Sequence, residues 1–179
     1  MDAILIVVHW LAAAVYPLAL GWAVVSDARR LIIPNWTCIA IAVAFLPAAL
    51  LGRLDPAALA LHYGIGAGLL AAGMALFARG IVGGGDVKLL AAAGVWIGWS
   101  DLGPYLALVA VIGGALALAV LLARRFKGRW PFLGRFGWLS DAGARAQPLP
   151  YGVAIGVAAT ILFSRNPALP PSWGAVLGG

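Results

Sequence analysis

The 179-residue chain has no glutamate, one cysteine, two histidines and little charge of either sign, with 10% charged against 64% apolar residues. Each scarcity excludes something. The lone Cys38 rules out an intramolecular disulfide and a multi-cysteine metal centre, and reads as a small apolar packing residue. His9 and His62 fall on the outer halves of apolar stretches, away from the acidic residues singled out below, and read as hydrogen-bonded packing residues; no metal or cofactor is expected. The shortage of charge also excludes a soluble globule, because a chain of this size has no core large enough to hide its apolar runs. Polar linkers into a soluble domain, low-complexity tracts and transporter-like repeats are missing too, so residues 1–179 read as one domain.

What is present is a series of apolar segments. Six transmembrane helices are expected at about 4–25, 36–51, 57–79, 86–99, 102–123 and 149–164, giving an all-α polytopic membrane protein. The first run follows Asp2 without a basic segment and is too long for a signal-peptide core, so it reads as a retained span. Of the twelve basic residues, all but Arg53 and Arg165 fall in the connections 1–2, 3–4 and 5–6, most of them in the long basic loop 124–148. The positive-inside rule makes that side cytoplasmic and puts both termini outside. The same asymmetry accounts for the net charge of +6. The arginines and tryptophans interleaved along 124–138 are ordinary interfacial anchors facing membrane lipids, and no nucleic-acid partner is expected.

All six acidic residues are aspartates: Asp2, Asp27, Asp55, Asp86, Asp101 and Asp141. Four read as solvated turn or loop residues. Asp27 and Asp86 instead sit at the cytoplasmic edges of apolar segments, where drawing a charge into the bilayer costs about 2.5–3.5 kcal/mol. A cost of that size points to use. Asp86 follows Gly83, Gly84 and Gly85, whose missing side chains open backbone conformations and let a second chain approach; the plain alternative is a cap for the fourth helix, with Lys88 as a positive-inside charge. Two carboxylates at one depth cannot both ionise when close. The ionised member then activates water and the protonated one polarises a carbonyl, which is peptide hydrolysis without a metal.

Three motifs carry a family resemblance. Asp27, Arg29, Ile33, Pro34 and Asn35 resemble the first aspartate motif of the type IV prepilin peptidases. Gly83, Gly85, Asp86, Lys88 and Leu89 resemble their second motif, the Gly-x-Gly-Asp signature of a wider class of membrane aspartyl proteases. Pro150, Tyr151 and Gly152 resemble the element that opens the family's last helix. The resemblance implies catalytic roles for Asp27 and Asp86 and substrate-binding or supporting roles for the other motif residues. Its substrate is a prepilin with a short basic leader, cleaved at the cytoplasmic face of a bacterial inner membrane, with pilus assembly machinery as a further partner.

Pro34 suits the first turn of helix 2, so residues 26–35 are expected to form a defined loop beneath the site. Asn35 is placed to bond backbone or substrate, and Arg29 to orient a carboxylate or face lipid phosphates. The larger bifunctional relatives carry paired zinc-binding cysteines between helices 1 and 2 and also methylate the new N-terminus. Here that connection is about ten residues without cysteine. The chain therefore resembles the short, peptidase-only form of tight-adherence (Flp-type) pili, and methyl transfer is not expected. The competing reading is a non-enzymatic transporter or scaffold whose two carboxylates handle protons or a cation. Spacings such as Gly64/Gly68 and Gly152/Gly156 fit close helix packing under either reading. The sequence leaves the oligomeric state open.

Overall fold

The computed structural model describes residues 3–125 and 149–170. The described residues form six helices and no strand: α1 (Ala3–Arg30), α2 (Asn35–Leu51), α3 (Pro56–Ala78), α4 (Gly84–Ile97), α5 (Leu102–Arg125) and α6 (Tyr151–Phe163). Three are long and apolar enough to cross a membrane, namely Ala3–Arg30, Pro56–Ala78 and Leu102–Ala123, while α2 and α6 are shorter apolar helices. Asp2, Asp141 and the basic connection 126–148 lie outside the described residues.

α1, α2, α4 and α6 pack around a common core of small and aromatic residues that includes Ala13, Tyr16, Ala23, Phe45, Trp96 and Ile155. α3 packs mainly against α4, and α5 mainly against α6. Isoleucine, leucine and valine side chains such as Ile39, Val111 and Leu121 point outward, the inverse of a soluble fold and what lipid contact requires.

Glycine sets how closely the helices approach, but not at all the expected positions. Gly64 and Gly68 face open space; the α3–α4 contact is made instead by Gly66, against Val95, and by Gly73, where an added Cβ would lie 2.5 Å from Val87. Gly156 faces Val24 of α1 in the same way.

One end of the bundle is tied by buried polar bonds. His9 Nε2 contacts the Ala168 carbonyl at 2.7 Å, His62 Nδ1 the Val95 carbonyl at 2.7 Å, and the Asn166 carboxamide donates to the Trp96 carbonyl. Arg165 pairs with Asp101 at 3.3 Å beside them. Both histidines are thus at the end opposite Asp27, each engaged with a carbonyl.

The first helix does not stop at residue 25. It runs on to Arg30, so Asp27 and Arg29 lie in its last turn, and the connection to α2 shrinks from ten residues to residues 31–34. Alanine and arginine are good helix formers, and once Leu31 N–H closes on the Asp27 carbonyl at 2.9 Å nothing in the segment breaks the helix earlier. Pro34 stands at the N-cap of α2, one residue before the helical position expected for it.

Gly156→Leu is expected to lower stability by about 1–3 kcal/mol through overpacking against α1, whereas Gly64→Ala, which meets nothing, leaves it unchanged or raises it. Thermal unfolding of the two variants in detergent checks this.

Candidate active site

Asp27 is buried, with only 4% of its surface exposed. Its α1 turn faces the start of α6, where Pro150 at the N-cap is followed by Tyr151 and Gly152. The Gly152 N–H donates to Asp27 Oδ2 at 2.8 Å, and the Val153 N–H faces the same carboxylate. The free amides of a helix N-terminus are natural partners for an anion, since they have no acceptor in their own helix and carry the positive end of its dipole. Gly152 has to be glycine for this approach, because a Cβ there would stand 2.8 Å from Asp27 Oδ2 and 2.9 Å from Ile33 Cδ1.

Asp86 comes from the first turn of α4 and is half-buried. Its carboxylate folds back over Gly83, where a Cβ would lie 2.6 Å from Oδ2. It faces the same start of α6 and lies close enough to Asp27 for the two charges to act on each other. Two carboxylates from different helices thus meet at one helix N-terminus. Such a pair can share a proton, hold a water between them and present an acid and a base at once.

The glycine triplet was expected to free the backbone and to let a second chain approach; here it admits close neighbours from this chain itself. Gly83 is the N-cap, while Gly84 and Gly85 already belong to α4. None of the three has positive φ, a conformation that the described glycines adopt at Gly80 and Gly98. Their use is close approach: a Cβ on Gly85 would lie 3.3 Å from Ile33. Ile33 therefore wedges between Gly85 and Gly152 beside the carboxylates. The sequence offered a signal for this, an apolar residue held extended before proline, but the contact itself depends on helix placement.

The remaining motif residues frame the site. Lys88 Nζ donates to Asn35 Oδ1 at 3.0 Å, linking α4 to the first residue of α2. Thr37 Oγ donates to the Pro34 carbonyl at 2.6 Å, a bond the sequence reading did not anticipate. The Tyr151 ring packs over Gly113 of α5 and so braces the start of α6. Arg29 is exposed on the last turn of α1, and among the described residues the ion pair is Arg165–Asp101 at the opposite end. Among the described residues no group of three His, Cys, Asp or Glu side chains comes together.

Residues 14–119, which include both aspartates, match the type IV leader peptidase family. The chain belongs to that family. It is also 42% identical over 89 residues to proteins named "Prepilin leader peptidase/N-methyltransferase" from Burkholderia pseudomallei strains 1026b and K96243. The matched stretch is 48% of this chain and 23% of those relatives, so the likeness spans under a quarter of their length. No solved structure matches the chain.

If the Gly152 amide needs Asp27 as its acceptor, Asp27→Ala should cost about 1–3 kcal/mol by leaving a buried donor unpaired, while Asp27→Asn, which keeps a carbonyl oxygen in place, stays near wild-type stability. Thermal unfolding of the two purified variants measures the difference.

Proposed function

We propose that this chain is a membrane aspartyl endopeptidase that removes the short basic leader from Flp-type prepilins, with Asp27 and Asp86 as its catalytic pair. The observation that carries the reading is the meeting of the two carboxylates at the start of α6, where the Gly152 N–H holds Asp27, within a family named for leader peptidase activity.

In this reading the six helices cross the inner membrane of a bacterium as one domain, both termini lie outside, and the site opens toward the cytoplasm. The prepilin's apolar helix lies in the bilayer and its leader stays in the cytoplasm, so the scissile bond arrives at the depth of the carboxylates. One carboxyl carries the shared proton and donates it toward the scissile carbonyl oxygen. The other takes a proton from water, whose oxygen attacks the carbonyl carbon. The tetrahedral intermediate then collapses as the leaving amine is protonated, freeing the leader and the mature pilin. The Gly152 amide holds the pair in register, while Gly83 and Gly85 keep the approach to it narrow and free of side chains.

The relatives' printed name includes N-methyltransferase. Our proposal restricts this chain to peptide cleavage, on the ground that residues 31–34 are the whole α1–α2 connection and the sole cysteine is buried in α2. Pilus assembly machinery remains the partner expected to receive the product.

Co-expression with an Flp-type prepilin in a host lacking such peptidases tests the assignment. Leader removal should vanish in both Asp27→Asn and Asp86→Asn with membrane levels unchanged; cleavage surviving either change refutes the dyad. Because the pair needs one proton, activity should fall on the alkaline side as that proton is lost, and fall again in acid as the base is protonated. A profile flat into alkali, measured on purified enzyme, contradicts proton sharing, and strong inhibition by a chelator contradicts metal-free chemistry.

A further inference from the structure

Ile33 is fixed on both sides along the chain. The carbonyls that flank it each accept a hydroxyl: Ser26 Oγ donates to Ile32 at 2.7 Å, and Thr37 Oγ to Pro34 at 2.6 Å. Pro34 holds Ile33 extended, and branching at Cβ leaves its side chain few rotamers. That side chain lies between two helix starts. On one side is Gly85, where an added Cβ would stand 3.3 Å from Ile33 Cβ, and on the other is Gly152, where it would stand 2.9 Å from Cδ1. Neither glycine leaves room for another group, so one aliphatic side chain sets the gap between the starts of α4 and α6. The carboxylates meet at the same place. Gly85 precedes Asp86, and Gly152 gives its N–H to Asp27 Oδ2. The point that a Cβ on Gly152 would occupy is 2.9 Å from Ile33 Cδ1 and 2.8 Å from Asp27 Oδ2, so a methyl group and a carboxylate oxygen face each other across it.

We infer that Ile33 is a positioning residue for the carboxylate pair: it spaces the segment that bears Asp86 from the one that holds Asp27, and keeps water off the pair on the hairpin side. The inference rests on the peptidase reading above and adds to it the side chain that sustains proton sharing. Two carboxylates share a proton only when each acts strongly on the other, which needs a short fixed separation and little water beside them. An aliphatic wall meets both needs and brings no charge. A smaller side chain would leave a gap lined by carboxylate and amide groups, and a gap of that polarity takes up water. Water there weakens the action of one carboxylate on the other.

The charged neighbours offer no substitute for this wall. The described cations at this end of the bundle are Arg29 and Arg30 on α1, Arg79 after α3, Lys88 on α4 and Arg125 on α5, all of them exposed. Lys88 is engaged by Asn35 of α2, and α6 carries no charged residue. Among the described residues none of these cations forms an ion pair with Asp27 or Asp86. A substitution at Ile33 by another apolar residue changes none of them, so any change it makes in the titration of the pair comes from spacing and water.

Infrared titration of the purified protein tests this, following the protonated carboxyl band that Asp27→Asn and Asp86→Asn each diminish. The wild-type pair should titrate in two separated steps. In Ile33→Ala the two midpoints should draw together by about one pH unit, a tenfold weaker coupling, and the bell-shaped kcat/KM profile should narrow with them. Ile33→Val, which loses only the methyl group facing Asp27, should act in the same direction by less, and carries the test if Ile33→Ala fails to fold. Ile33→Leu keeps the volume and should titrate near wild type. Ile41→Ala is the control: it removes bulk from a fully buried site in the middle of α2 and should lower thermal stability without moving either midpoint. A single unsplit step in wild type, unmoved midpoints in Ile33→Ala, an Ile33→Leu chain that titrates like Ile33→Ala, or an equal change in Ile41→Ala each overturns the role given to Ile33. The titration does not depend on cleavage. A wild type that titrates as expected yet removes no leader refutes the peptidase reading, while the spacing role of Ile33 is still decided by its variants.

Discussion

The bond from the Gly152 amide to Asp27 is the constraint around which this fold is arranged. A carboxylate with 4% exposure at the edge of an apolar bundle is costly unless donors meet it. The start of a helix supplies them without another charge. α6 must therefore begin where α1 ends, and Pro150 helps fix that point, since it lacks an N–H and has a preset φ of −72°. One turn further along α6, Gly156 meets Val24, one turn back from Asp27 and its neighbours on α1. The two glycines, four residues apart, hold a single close helix contact whose end is the carboxylate bond.

The short α1–α2 hairpin fastens the second carboxylate to the first. Leu31 takes a left-handed conformation at φ 55°, and Ser26 Oγ donates to the Ile32 carbonyl at 2.7 Å, so the four connecting residues turn tightly. The turn aims Ile33 between α4 and α6. Lys88 and Asn35 then join α2 to α4 on the other side of the hairpin. Asp86 is held from Gly83 behind it, Ile33 beside Gly85 and the amide of Gly152 ahead. A shift of any one helix would disturb the pair, which is what a site needing two carboxylates at a fixed separation demands.

The sequence made much of this legible, for identifiable reasons. Helix type and order followed from apolar run lengths, and the two aspartates stood out because charge is scarce and costly in such a chain. The boundary of α1 did not, since hydropathy falls at Ser26 while helix propensity continues to Arg30; the polar residues left the apolar run without leaving the helix. The glycine triplet was read both as conformational freedom and as room for a second chain; its φ values use none of the former, and the room is taken by neighbours within this chain. Gly66 and Gly73 carry the α3–α4 contact in place of Gly64 and Gly68 because spacing alone gives a glycine stripe but not the azimuth at which the partner helix sits. His9 and His62 were read as hydrogen-bonded packing residues, but their partner carbonyls, and the bond of Asn166 to Trp96, had no local signature.

Depth separates the peptidase reading from a transport one. His9, bonded to Ala168, and Asp27, bonded to Gly152, stand eighteen residues apart along α1, about 27 Å at 1.5 Å per residue. A hydrocarbon core is about 30 Å thick. The two bonded layers are therefore about as far apart as such a core is thick. Exposed Trp36 beside the carboxylate end and exposed Trp99 at the other fit two interfacial belts. A proton or cation site of the transporter kind is built near the midplane, where it can be reached from either side in turn. Carboxylates held at one face serve only reactants that come to that face. In the proposed reading, a chain whose apolar helix lies in the bilayer and whose polar leader emerges from it brings its junction to that level by its own partitioning, so the depth set by the Gly152–Asp27 bond would select where such a substrate is cut.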